Sequence, residues 1–228
     1  MLKAVIFDFD GVIVDTEPLH HQAFMEVLAP YGICCSWQEY REHYMGFDDR
    51  DGFHAFFERA NKSLSQTELH HLIDQKATAF QRIASTGVTA YPGVIDLVKA
   101  LAATLPVALC SGALRSDIDP ILGGLGIAHL FSAIVTADDV THSKPDPESY
   151  RLTVSRLKQR ALLEDFLPGS ILVIEDTPAG IDSAKGAGLS VLAVSNSYPR
   201  SFLESLQVPV VSSLADVDCR ELMQLVNQ

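Results

Sequence analysis

An α/β fold is predicted for this chain of 228 residues: a doubly wound parallel-sheet core with an inserted α-helical cap domain. Three observations predict it. Short, β-branched apolar runs alternate with helix-like stretches along the chain. The runs are apolar at every position, as in strands covered on both faces. The segment between the first two runs far exceeds the length of an ordinary crossover, and it carries helical periodicity with no strand-like run.

The first run is KAVIFDFD (3–10). It is followed by PVALCS (106–111), FSAIVT (131–136), SILVIED (170–176), LSVLAVS (189–195) and a weaker VPVVSS (208–213). Helix-like stretches separate them at 93–105, 115–127, 147–161 and 178–189, which completes a Rossmann-like alternation. Within the long segment, Phe24, Val27, Leu28 and Tyr31 fall at i, i+3, i+4 and i+7, and Phe53, Phe56, Phe57 and Ala60 repeat that spacing. Leu64, Leu69, Leu72, Ile73 and Phe80 mark a further helix. The expected organisation is therefore a core of 1–14 and 87–228 and a helical cap of 15–86, with re-entry at TAYPGV (89–94).

Composition narrows the function. With 47% hydrophobic residues the chain can bury a sizeable core. Its 29 acidic against 17 basic residues, a net charge of −12, argue against a general nucleic-acid or anionic-membrane surface. Cys34, Cys35, Cys110 and Cys219 form no CxxC pair and read as buried free thiols. No secretory segment precedes the first strand and no apolar run approaches ~18 residues, so a cytoplasmic protein is expected. The paired histidines lack zinc spacing. GGLG (123–126) follows a helix and reads as its cap, not as a dinucleotide fingerprint.

The chemistry gathers at strand ends. Asp8 and Asp10 end the first run two residues apart, and Gly11 permits a sharp exit. Glu175 and Asp176 end another. Ligands of open parallel sheets bind beyond the carboxyl ends of the strands, so four acids converge on one edge. Oxygen donors in that number call for a hard dication, Mg²⁺. Ser111 and Gly112 offer a hydroxyl and backbone N–H donors there. Lys144, in HSKPDPE before a helix, offers charge neutralisation.

The set DFDGVIVDTE, CSGA, SKPDPESY and IEDTPAG, in this order, resembles the haloacid dehalogenase superfamily over essentially the whole chain. The cap inserted after the first strand is similar to that of the β-phosphoglucomutase and phosphoglycolate-phosphatase-like branch. The resemblance implies that Asp8 is the nucleophile and Asp10 the general acid and base, with Ser111 and Lys144 holding the phosphoryl oxygens. It implies a Mg²⁺ site from Asp8, Asp176 and the main chain of Asp10, with Glu175 assisting. In the cap, MGFDDRDGF (45–53) matches the family's specificity loop, with Gly46 turning the chain and Arg50 reaching the substrate. His20 and Lys76 stand where mutase-like members place a hinge histidine and a cap lysine, and Thr16 is either a hinge residue or a helix cap.

The resemblance leaves two reactions and one binding role. A mutase needs a second phosphate cradle, and here the motif serine is followed by Ala113 and Leu114, with Arg115 the only cation. The expected activity is hydrolysis of a small phosphorylated metabolite, a sugar phosphate or phosphoglycolate-like ester. The alternatives are a sugar phosphomutase and a non-catalytic phosphate sensor. A monomer or weak dimer is expected.

Overall fold

The computed structural model describes residues 2–160, 168–218 and 222. Six strands form one parallel sheet: β1 (Ala4–Phe7), β2 (Val107–Cys110), β3 (Phe131–Val135), β4 (Ile171–Glu175), β5 (Ser190–Val194) and β6 (Val210–Val211). Their order is β3-β2-β1-β4-β5-β6. Chain order runs outward from β1 in one direction and then, after β3, crosses to the other side. The crevice at the carboxyl ends of β1 and β4 is thus the topological switch point. Every predicted strand is present, each shorter than its apolar run.

Most strand residues are buried, and successive ones face opposite sides of the sheet, so both faces are covered. Val5, Phe7, Val107, Leu109, Leu172 and Ile174 join one apolar cluster, and Ala4, Ile6, Ala108, Cys110, Ile171 and Val173 join the other. In register, Phe7 lies between Leu109 and Ile174. The ladder extends one residue further, because the Asp8 N–H donates to the Ile174 carbonyl at 3.0 Å. This backbone bond sets Asp8 beside the end of β4.

Four helices follow β1: α1 (Glu17–Leu28), α2 (Trp37–His43), α3 (Asp49–Arg59) and α4 (Gln66–Ala84). No strand lies among them. Ser65 and Glu68 start α4 as a reciprocal capping box, and its Leu69, Leu72, Phe80 and Ile83 are buried. The chain leaves and re-enters the sheet along adjacent paths, since Val14 bridges Ala90 and the Tyr91 N–H donates to the Ile13 carbonyl at 2.9 Å. Among the described residues, helices α5 (Val94–Ala102), α6 (Arg115–Gly124), α7 (Glu148–Gln159), α8 (Pro178–Gly186) and α9 (Arg200–Ser205) follow. The stretch predicted at 147–161 contains α7, and its Ala161 lies outside the described residues.

Among the described residues, helices α2 and α9 escaped the sequence reading. The thiol expectation holds only for Cys110. Cys34 is exposed and Cys35 half-buried, because both sit in the loop before the Ser36 cap of α2, and Cys219 lies outside the described residues. No helix among the described residues is long and apolar enough to cross a membrane.

Helices α4 and α6 pack together, and Asp117 of α6 is 2% exposed there, with Oδ2 lacking any partner. Burial pushes its carboxyl from 3.8 up to about 6, against the opposing pull of Lys76 and His20. The folded state therefore binds the proton more tightly than the unfolded chain. Stability associated with Asp117 is full below pH ~4 and is lost as the pH rises to ~6. The loss amounts to about 3 kcal/mol at ~1.4 kcal/mol per pH unit. Urea unfolding is expected to show the stability of Asp117→Asn, relative to wild type, rising by about 2–3 kcal/mol between pH 4 and pH 7. A difference that stays constant across that range would contradict this assignment.

Candidate active site

Beyond the ends of β1 and β4, Asp8, Glu175 and Asp176 present carboxylate oxygens within 4.8 Å of one another, all buried. Lys144 enters from the loop before α7. Its Nζ donates to Asp8 Oδ1 at 2.5 Å, to Glu175 Oε1 at 2.7 Å and to the Cys110 carbonyl at 3.2 Å. One ammonium thus bridges two of these three carboxylates.

Glu175 is completely engaged. Its Oε1 accepts from Lys144 and from the Tyr150 hydroxyl at 2.9 Å. Its Oε2 accepts from the N–H groups of Asp176 and Thr177 and from the Thr177 hydroxyl, at 3.0–3.1 Å. Burial raises its pKa, but Lys144 and these donors more than reverse the effect, so it is held below the ordinary range. For Lys144, burial lowers the pKa and the charges of Asp8 and Glu175 overcome it, leaving the ammonium strongly favoured.

Asp176 is different. It is 0% exposed; one oxygen takes the Ser197 hydroxyl and the other, Oδ1, has no partner. Burial, followed by the charges of Glu175 and Asp8, drives its pKa well above the ordinary value. Burial likewise raises Asp8, with Lys144 opposing and Glu175 and Asp10 adding. A buried carboxylate oxygen without a donor is costly, and the orphaned Asp176 Oδ1 fits the role of a cation ligand. An all-oxygen set with excess negative charge suits Mg²⁺. Gly11 leaves room for this arrangement. At φ +79° it adopts a conformation disfavoured for L side chains, and a Cβ there would run into the Asp176 carboxylate.

Asp10 points to the other side. Its Oδ1 accepts from the Thr16 hydroxyl and from His20 Nε2 at 3.3 Å, and its Oδ2 from the Ser111 hydroxyl at 3.3 Å. Lys76, 1% exposed, donates to His20 Nδ1 at 2.7 Å and to Asp49 Oδ1 at 2.6 Å. An ammonium has no acceptor to offer, so Nδ1 is the acceptor and Nε2 carries the proton given to Asp10. Burial raises Asp10, but His20, Thr16 and Lys76 together bring it below its ordinary value. Thr16 therefore serves Asp10 and makes no cap to α1.

Above these groups lies a small, partly open pocket of about 50 Å³. Asp8, Asp10, Gly112 and Lys144 line it from the sheet, and Glu17, His20, Tyr40, Gly46, Asp48 and Asp49 from the helices. Gly46, at φ +85°, makes the turn between α2 and α3 that brings the Asp48–Asp49 pair over the site.

Two expected substrate residues are elsewhere. Arg50 turns away from the pocket, donating to Asp48 Oδ2 at 2.8 and 3.0 Å and across to the carbonyls of Val140 and Thr141. It ties the start of α3 to the loop before Lys144. Arg115 donates to the Ile134 carbonyl at 3.0 Å and pairs with Asp139 and Asp119. Its charge is absorbed at the end of β3, so no second anion cradle forms beside Ser111. Glu17 and Tyr40 were not anticipated: the Tyr40 hydroxyl donates to Glu17 Oε2 at 3.0 Å inside the pocket wall. The sequence does carry one relevant signal, the Ser36–Glu39 capping box that starts α2.

Residues 5–194 match the family model described as haloacid dehalogenase-like hydrolase. The chain belongs to this family. Among characterised haloacid dehalogenase-like hydrolases it is 32% identical over 193 residues to fructose-1-phosphate phosphatase YqaB of Escherichia coli K12, covering 83% of this chain and 95% of the relative. It is 29% identical over 189 residues to a phosphorylated carbohydrates phosphatase of Thermotoga maritima, covering 82% of each. The solved β-phosphoglucomutase of Clostridium difficile superposes with a TM-score of 0.86 at 25% identity, over 100% of this chain and 98% of the other. The haloacid dehalogenase-like fold thus agrees with the doubly wound sheet expected from the sequence.

Proposed function

We propose that the protein is a Mg²⁺-dependent phosphatase that hydrolyses a small sugar-type phosphomonoester through a phosphoryl group carried on Asp8. One observation carries the reading: buried Lys144 bridges Asp8 and Glu175 while Asp176, beside them, keeps a carboxylate oxygen with no partner. Such a set is poised for an anion and a cation together. The names of the two relatives support a phosphorylated sugar as substrate.

Asp8 attacks phosphorus, and the bond to the leaving oxygen breaks as that oxygen takes a proton from Asp10. Water then attacks the phosphorus, giving its proton to Asp10, and Asp8 departs as carboxylate. The donors around Asp10 favour the ionised form used in the second step. An incoming phosphate adds negative charge nearby and raises its hold on the proton used in the first. Ser111 and Gly112 present a hydroxyl and N–H donors to the phosphoryl oxygens, and Lys144 offsets their charge. Glu175 acts by holding Lys144 in place. Asp8, Asp176 and the Asp10 carbonyl would hold Mg²⁺, which when bound offsets charge between nucleophile and phosphate. Pockets for small metabolites run from about 300 Å³ upward, so the helices over the site must part to admit substrate. The paired segments near Val14 and Ala90 are where the unit over 15–86 would hinge.

A mutase reading draws support from the β-phosphoglucomutase likeness and from the His20–Lys76 pair. The loss of Arg115 to Asp139 and Asp119 weighs against it. The test is phosphate release from a panel of phosphoesters with Mg²⁺ and with EDTA. Release that needs Mg²⁺ is expected, and release unaffected by EDTA would overturn the metal assignment. With β-glucose 1-phosphate and a trace of bisphosphate, isomer formed faster than free phosphate would establish the mutase instead.

A further inference from the structure

We propose that the leaving-group end of this pocket selects a polyhydroxylated phosphoester with no second negative charge, and most strongly one bearing an ammonium group. The inference rests on the phosphatase reading and names its substrate class. It comes from the acids that line the pocket from the helical side, Glu17, Asp48 and Asp49, with the neutral Tyr40 hydroxyl among them.

The acids on that wall are not equivalent. Asp48 is fully answered, accepting from Arg50 and from the Asp51 N–H at 2.9 Å. Asp49 spends one oxygen on Lys76, and its Oδ2 is buried with no partner. Glu17, 9% exposed, has the Tyr40 hydroxyl and no ion pair of its own among the described residues. The wall therefore holds an acceptor, Asp49 Oδ2, that no donor among the described residues satisfies.

Among the described residues, the lysines and arginines nearest the pocket are committed elsewhere. Lys76 is committed to Asp49 and His20 and is not among the residues facing the cavity. Arg50 faces the loop at Val140 and Thr141, Arg115 faces Ile134 and Asp139, and Lys144 is held at the nucleophile. A carboxylate or second phosphate on the leaving group would meet Glu17 and Asp49 in a water-poor space, where like charges repel strongly. Hydroxyl groups would give those oxygens the donors they lack, and an ammonium would do so with charge complementarity. The same wall disfavours both a bisphosphate and a phosphoglycolate-like ester.

A matched hexose series tests this: glucosamine 6-phosphate, glucose 6-phosphate, 6-phosphogluconate and glucose 1,6-bisphosphate. Each is assayed as substrate and as inhibitor of p-nitrophenyl phosphate hydrolysis, so that binding is read whether or not turnover follows. The expected order of affinity is ammonium above neutral, with both doubly anionic esters weaker than glucose 6-phosphate by about tenfold or more. In Glu17→Gln and Asp49→Asn the ratio between glucosamine 6-phosphate and 6-phosphogluconate should shrink by several-fold. Two variants are used so that misfolding of one leaves the ratio measurable in the other. Equal or tighter binding of the carboxylate or bisphosphate overturns the inference alone, provided p-nitrophenyl phosphate is hydrolysed. No hydrolysis of that reference or of any ester overturns the phosphatase reading and this inference with it.

Discussion

Asp8→Asn is expected to lower kcat by at least about 10³-fold while leaving the protein folded. The amide is nearly isosteric but cannot attack phosphorus as a carboxylate does. The fold should tolerate it, because the substitution removes one of three mutually repelling carboxylates. Lys144 keeps Glu175 as its partner at 2.7 Å. In metal-free buffer the variant should equal or exceed wild type in urea unfolding, since burial and the charge of Glu175 both disfavour ionised Asp8. Phosphate-release assays and urea titration on the same preparation separate the two effects. Retained turnover would remove Asp8 from the chemistry, and a collapsed fold would show that it has a structural task.

Lys144→Met should do the opposite to stability. Lys144 is the ion-pair partner of both Asp8 and Glu175, and the side chains involved are all less than a tenth exposed. Taking it away leaves Glu175 as a buried charge whose remaining donors are neutral, a defect that costs about 3–5 kcal/mol. Activity should fall as well, by about 10²-fold or more, because nothing else at that position offsets charge on the transferring group. Mg²⁺ should recover part of the lost stability, since any cation bound by the folded state alone stabilises it by mass action. Urea unfolding with EDTA and with Mg²⁺ checks both parts. A loss near that of an exposed ion pair, under about 1 kcal/mol, would mean that water reaches the cluster.

These two residues were legible in the sequence for a physical reason. Asp8 and Glu175 each stand at the end of a run too apolar to be anything but a buried parallel strand, and parallel strands deliver their carboxyl ends to one edge. Backbone register then does the positioning, as the Asp8 N–H bond to Ile174 shows. Ser111 and Lys144 follow from the same logic, being attached to the next strand and to the loop before α7.

Side chains whose direction depends on distant partners were not legible. Arg50 looked free to reach a ligand, but Asp48 and the carbonyls of Val140 and Thr141 take its guanidinium. Arg115 is drawn off by β3 and Asp139, which no local pattern around Ser111 reveals. Glu17 and Tyr40 lie 23 residues apart on two helices, and α2 is too short for periodicity to expose it. The pocket wall proposed to set specificity is assembled from such contacts, which local sequence patterns do not expose.

The stereochemical course at phosphorus tests the central claim most directly. A phosphomonoester made chiral with oxygen isotopes is hydrolysed in isotopically labelled water, and the configuration of the released phosphate is determined. Attack by Asp8 followed by attack of water inverts phosphorus twice, so net retention is predicted. Net inversion would mean that water displaces the leaving group in one step, and Asp8 would then not carry the phosphoryl group.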